Sequence, residues 1–254
     1  MKKFLPLLFI LPMLYAVATA QKLETPKERA ARILSKIDDM WRGKSSRGLM
    51  AMKVKTQNYT RELELRIWSQ GKEKSLVIIE SPLREKNTAT LKSGPNIYSY
   101  LPKTDRTIRL TSGMMVGNWM GSHFTNDDLV KESRMSDDYN AIITFEGNQK
   151  GNEVIEFTLF PKPNAAVVWG KIIITVKSDG FIPIHSKYYD EDMALSRTMA
   201  FSNIKSIGGR MIPATLRVIP KEKTNEFTEL TYKEMEFDID LPSGFFSIAR
   251  LRRR

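Results

Sequence analysis

Residues 98–130 read YSYLPKTDRTIRLTSGMMVGNWMGSHFTNDDLV. Three kinds of local structure can be read from them. Tyr98–Leu101 and Thr107–Leu110 predict two short strands joined by a turn at Pro102–Asp105. Proline presets φ at the second turn position, and aspartate bonds back to nearby backbone. A glycine-punctuated loop follows, in which Gly113, Gly117 and Gly121 separate Met114, Met115, Val116, Trp119 and Met120. Solvated loops are polar, so this apolar one must cover something. It is either a core-packing loop between two sheet segments or a lid over a cavity, rich in adaptable methionine. Thr125 with Asp128 three places on predicts a helix start, and Asp127 and Asp128 suit its first turn. Phe124 before the cap and Leu129 four after it have the spacing of a hydrophobic staple.

On the N-terminal side, Thr25–Trp41 predicts a helix. Thr25 caps it, Pro26 fits its first position, and Glu28 completes a capping box. Ala30, Ile33, Leu34, Ile37 and Trp41 form one apolar stripe at helical spacing. From Gly48 the period changes to two. Met50, Met52 and Val54 alternate with Ala51, Lys53 and Lys55, and Leu63, Leu65 and Ile67 alternate with polar neighbours. That pattern predicts half-buried antiparallel strands. Leu76–Glu80 and Asn87–Leu91 add two more.

On the C-terminal side, strands are predicted at 141–145, 153–160, 171–177, 183–189, 197–205, 211–219 and 227–237, separated by turn signals such as Ser178-Asp179-Gly180 and Gly208-Gly209. No helical pattern is long enough for crossovers, so the sheet is an antiparallel meander of about ten strands. A sheet of that width twists, curls or closes. If it curls around its apolar face, the Thr25–Trp41 helix and the Gly113–Leu129 segment are the available covers. The expected architecture is mainly β with flanking helices: a curved antiparallel sheet forming an open half-barrel under an N-terminal helix and a central loop-helix lid.

The chain opens Met1-Lys2-Lys3, continues with an apolar run over 4–17, and then reads Ala18-Thr19-Ala20. This is the pattern of a secretory signal peptide spanning 1–20, with 21–254 as one domain. There is no cysteine. That excludes thiol catalysis, thiolate metal sites and a lipid-modified cysteine at the mature N-terminus. The net charge of +11 favours anionic partners, and export argues against nucleic acid. The tail carries Phe245, Phe246, Ile248 and Leu251 at near-helical spacing and ends in Arg252, Arg253 and Arg254. It reads as a docked terminal helix whose basic end is either solvated or a contact for an anionic membrane surface.

No catalytic constellation emerges. His123 precedes Asp127 and Asp128, but the cap falls between them, so a rim or turn role fits better than a base or ligand role. His185 reads as a sheet residue. The G-x-S-x-G spacing is missing around Ser112 and Ser122, and phosphate-binding and dinucleotide fingerprints are missing too. No cofactor is called for, and the chain is not expected to be an enzyme. Binding remains. Leu63, Leu65 and Ile67, with Ile172, Ile174, Val176, Met199, Phe201 and Leu216, form the expected inner wall. Whether that wall is solid or hollow is open at this level.

Tyr98, Tyr100, Leu101, Pro102, Lys103, then Arg106, Ile108, Arg109, Leu110, then Asn118, Trp119, Met120, Gly121, Ser122, Phe124, Thr125, Asp127, Asp128 and Leu129 together resemble the LolA-like outer-membrane lipoprotein-sorting family. The likeness is densest over these thirty or so residues. It implies a half-barrel of the LolA, LolB and RseB type that shields lipid or lipoprotein acyl chains in the periplasm. It also implies an inner-membrane transporter as donor and an outer-membrane acceptor, with transient contact to anionic membrane. Met114, Met115, Trp119, Met120 and Phe124 on the lid, with Leu63, Leu65 and Ile67 on the wall, are then the candidate lipid-binding residues. The alternative is a non-enzymatic periplasmic sensor, or an accessory module of an inner-membrane exporter or envelope-stress system.

Overall fold

A computed structural model describes residues 24–130 and 135–252. The expected signal peptide, and Arg253 and Arg254 of the basic end, lie outside the described residues. So does the side chain of Leu129, the expected staple partner of Phe124.

Helix α1 spans Pro26–Asp39. Its capping box is complete: the Thr25 hydroxyl accepts from the Glu28 N–H at 3.2 Å, and the Glu28 carboxylate accepts from the Thr25 N–H at 2.9 Å. The helix stops two residues short of Trp41, whose indole instead reaches the Pro213 carbonyl at 3.4 Å. The strands follow as β1 (Ser45–Lys55), β2 (Thr60–Gln70), β3 (Lys74–Ser81), β4 (Ala89–Ser93), β5 (Asn96–Leu101) and β6 (Arg106–Arg109). After the short helices α2 (Asn126–Val130) and α3 (Met135–Asp138) come β7 (Tyr139–Gln149), β8 (Asn152–Pro161), β9 (Lys171–Lys177), β10 (Pro183–Tyr189), β11 (Leu195–Ile207), β12 (Arg210–Pro220) and β13 (Phe227–Phe237). A last helical turn, α4, spans Ile248–Arg252.

All thirteen strands form one antiparallel sheet in the order β6-β5-β4-β3-β2-β1-β13-β12-β11-β10-β9-β8-β7. Two meanders are sewn together where β1 pairs with β13, and β6 and β7 become the two edges. The chain between Arg109 and Tyr139 must therefore travel from one edge to the other. Its described part up to residue 130 lies as a strap over the inner face. Strand alternation supplies that face with Met50, Met52 and Val54 from β1, Leu63 and Leu65 from β2, and Val77 and Ile79 from β3. Met115, Trp119 and Phe124 of the strap close this half of the core. The apolar stripe of α1 closes the other half, against Ile155, Phe157 and Leu159 of β8 and Ile172, Ile174 and Val176 of β9.

The tail docks on the outer face, where Phe246 and Leu251 pack with Leu76, Ala89, Leu91 and Tyr100. Its helical part is shorter than its apolar spacing suggests. A turn at Pro242–Phe245, with Gly244 at φ +76°, holds Phe245 and Phe246 in non-helical backbone. Two local expectations also change. Asn87 sits at φ 66°, so β4 starts at Ala89. The Asp105 carboxylate accepts from the Tyr100 hydroxyl at 3.0 Å instead of from backbone, while its own left-handed conformation makes the turn.

Candidate functional site

The strap is a tight hairpin in its own right. Trp119 donates its backbone N–H to Phe124 O at 2.8 Å, Asn126 to Gly117 O at 2.8 Å and Asp127 to Met115 O at 3.1 Å. Asn118 and Thr125 form a β-bridge across it. Residues 115–127 therefore move as a unit or not at all. The hairpin is tied down to strand after strand. The Trp119 indole N–H donates to Thr90 Oγ1 of β4 at 3.0 Å. At the start of β2, Tyr59 donates to the Gly121 carbonyl at 2.8 Å and Arg61 to the Met120 carbonyl. Gly121 has φ +70°, with the Tyr59 hydroxyl 3.0 Å from where a Cβ would stand, so only glycine fits without strain.

Farther along, His123 meets β13. Its Nδ1 lies 2.9 Å from Thr228 Oγ1 and its Nε2 lies 3.1 Å from Glu226 Oε2. The Gln57 N–H, then the imidazole, hold the Glu226 carboxyl below its ordinary range. Hydroxyl, imidazole and carboxylate are thus in line, as in a hydrolase triad. Thr228 is wholly buried, however, and its oxygen already accepts the His123 backbone N–H at 2.9 Å. A nucleophile must reach its substrate, so this chain of bonds anchors the strap instead.

The last tie is the strongest. Arg197 of β11 donates to both carboxylate oxygens of Asp128, at 2.6 and 2.7 Å, and to the His123 carbonyl at 3.1 Å. Its guanidinium lies over the Trp169 and Tyr188 rings, with centroids at 4.3 and 4.4 Å. Asp128 also completes the capping box of α2: the Thr125 hydroxyl accepts the Asp128 N–H at 3.1 Å, and the Asp128 carboxylate accepts the Thr125 N–H at 2.7 Å. Burial opposes its charge, but Arg197 and Thr125 outweigh burial and hold its carboxyl below the usual range. Beyond the clamp, Asp38 of α1 accepts from the backbone N–H groups of Met135 and Ser136 at 3.1 and 3.0 Å. Burial pushes this carboxyl up to about 6 against those bonds.

Beneath strap and helix lies a cavity of about 220 Å³. Its apolar wall includes Trp41, Phe201, Met199, Leu216, Leu230 and Phe124. Trp41 and Phe201 meet with centroids 6.0 Å apart. A larger crevice of about 1080 Å³ opens where the strap leaves β6. It has apolar sides of Ile97, Leu110, Met115 and Val167, and charges of both signs on its rim.

The sequence-derived candidates distribute unevenly over this site. Phe124 and Ile67 line the cavity, and Met115 lines the crevice. Trp119, Leu63 and Leu65 are buried in the core beside them. Met120 is partly buried against that core, and Met114 is 42% exposed. Arg252 ends α4 on the opposite, outer face. Arg197, Asp128 as its partner, Asp38 and Trp169 are positions around the cavity and strap that the sequence reading did not single out. One signal was available for Arg197: it shares the inward period of Met199 and Phe201, where a charge demands a buried partner. Among the described residues, no grouping of His, Asp and Glu suits a metal ion, and no helix is long and apolar enough to cross a membrane.

A curved sheet under a tethered strap and one long helix is the architecture of LolA-like proteins. The match extends over most of the chain in three solved structures. A LolA superfamily protein of Nitrosomonas europaea superposes with a TM-score of 0.75 at 22% identity, covering 87% of this chain and 98% of that one. A protein domain of Vibrio parahaemolyticus named for outer membrane lipoprotein sorting gives 0.75 at 24% identity, covering 89% and 100%. A DUF1329 family protein of Desulfovibrio piger gives 0.79 at 19% identity, covering 89% and 99%. None of the curated proteins matches the chain in sequence. A family model described as "Uncharacterized protein" matches residues 71–253, and the chain belongs to that family.

Proposed function

We propose that this chain is an exported, non-catalytic carrier that shields lipid or lipoprotein acyl chains between the two membranes of an envelope. The observation that carries the reading is the largely apolar cavity beneath the clamped strap. Acyl methylenes leaving water for such a wall gain about 0.8 kcal/mol each. At about 220 Å³ the cavity is smaller than the ~300–1,000 Å³ of ordinary ligand pockets. Loading therefore lifts the strap from Arg197 and Thr90 to make room. The crevice beside Met115 is the entry. Residues 1–20 direct export, residues 21–254 act as one domain, and the basic end at Arg252–Arg254 touches anionic membrane during exchange. An inner-membrane transporter and an outer-membrane acceptor are the partners this role requires. The names of the Nitrosomonas and Vibrio proteins agree with it.

Lipid extraction and mass spectrometry of protein taken directly from the periplasm test the reading. Stoichiometric acyl lipid is expected, together with saturable uptake of a fluorescent acyl probe by the stripped protein. Native protein free of lipid that also ignores the probe would turn the reading towards a sensor or accessory module.

A further inference from the structure

On β1 to β4 the inner face carries a polar row. In register across four neighbouring strands stand Ser46 of β1, Ser69 of β2, Ser75 of β3 and Lys92 of β4. The next row inward is Gly48, Ile67, Val77 and Thr90. The three serines are 2%, 7% and 9% exposed, so their hydroxyls sit in a largely dry place. Ser46 and Ser69 share one hydrogen bond at 2.7 Å. The Ser75 hydroxyl has no hydrogen-bond partner among the described residues. Its oxygen is not fully buried, so the O–H faces the cavity and is free to donate to a ligand that displaces water there.

The row also has a place. Ser46, Ser69 and Ser75 line the cavity, while Lys92 lines the crevice. It is thus the boundary between the two spaces, the last inward row before the β2–β3 turn that carries Lys72 and Glu73. Anything that puts a chain into the cavity and its remainder into the crevice crosses this row.

Resting on the carrier reading above, we propose that the row seats the first polar atoms behind an acyl chain: the carbonyl oxygen of an acyl ester or amide. A carbonyl only accepts, and Ser75 offers an unused O–H. The charge balance argues against an anionic head at this depth. The row's buried members are neutral, Arg42 in the cavity wall is offset by Asp38, Asp127 and Asp128, and Lys72, Lys92 and Arg109 on the crevice rim are offset by Glu73, Asp137, Asp138 and Glu191. The Lys72 ammonium pairs with Asp137, and the Lys92 ammonium donates to the Lys72 carbonyl. A chain entering by this route is measured from its carbonyl, so the row sets where the methylenes begin.

The test compares hexadecane, methyl hexadecanoate and hexadecanoate as displacers of a bound fluorescent dye, with full-length mature protein and its Ser75→Ala variant. Wild type is expected to prefer the ester over the alkane by roughly three- to tenfold, one hydrogen bond's worth. Ser75→Ala is expected to abolish that preference with an unchanged melting temperature. Equal binding of ester and alkane to wild type would overturn the proposal and leave the carrier reading standing. Tighter binding of the carboxylate than of the ester, lost in Lys92→Gln, would overturn it in favour of an anionic head. Failure of all three to displace the dye would count against the carrier reading itself.

Discussion

Asp128 accepts two hydrogen bonds from Arg197, at 2.6 and 2.7 Å, and the same carboxylate accepts the backbone N–H of Thr125, the cap of α2. Helix start and sheet anchor are therefore one group. Breaking the pair frees the strap from β11 and leaves the bonds between Asp128 and Thr125 in place. Arg197 is buried and Asp128 largely so, which makes either charge costly without the other.

Removing one partner tests that coupling. Arg197→Met leaves a buried, unpaired carboxylate and is expected to cost about 3–5 kcal/mol in urea unfolding. Arg197→Met with Asp128→Leu is expected to recover most of the loss, because two apolar groups replace two charges. If acyl-probe uptake is gated by the clamp, the double variant loads faster than wild type. Equal uptake rates would show that the strap opens elsewhere.

Trp119 is expected to behave as a tethered core residue. Thr90→Val leaves its indole N–H without a partner, at a cost of about 1–3 kcal/mol. Trp119→Ala is expected to cost about 3–5 kcal/mol. Because Phe124 lines the cavity and Trp119 does not, Phe124→Ala is expected to lower probe affinity of the folded fraction more than Trp119→Ala. Stability and affinity measured on the same preparations separate the two effects.

The two buried carboxyls have opposite pH signatures. Asp38 is raised to about 6 when folded, so the folded state holds its proton more tightly than the unfolded chain. Its contribution is greatest at low pH and falls away as pH rises from about 4 to about 6, by up to about 3 kcal/mol. Asp128 is lowered, so its contribution is complete above the ordinary carboxylate range and is lost as pH falls through its depressed folded value. Unfolding free energies of Asp38→Asn, measured from pH 4 to 7, are expected to lack the wild-type decline. A parallel pair of curves would remove Asp38 from the explanation.

Gly48 lies at the seam where the two meanders join. A Cβ there would collide with Met235 Sδ and stand 2.7 Å from the Glu234 carbonyl of β13. Gly48→Val is expected to destabilise by more than 1 kcal/mol through overpacking and loss of β1–β13 bonds. A melting temperature equal to wild type would mean that the seam yields there.

The elements themselves could be read locally. Period-two alternation at Met50, Met52 and Val54, the Thr25–Glu28 capping box and the Thr125–Asp128 cap are short-range features, and each depends on neighbours within four residues. Even the need for a cover followed from the apolar loop around Trp119. What no local rule supplies is the pairing of β1 with β13, more than 170 residues apart, which alone makes β6 and β7 the edges and the intervening chain a strap. Ser46, Ser69 and Ser75 look like ordinary strand polars until register aligns them. Arg197 and Asp128 are 69 residues apart, and an arginine's partner is chosen by which strand faces which loop. Propensity acts along the chain, while registers, clamps and cavities are made by contacts across it, so only the folded sheet decided them.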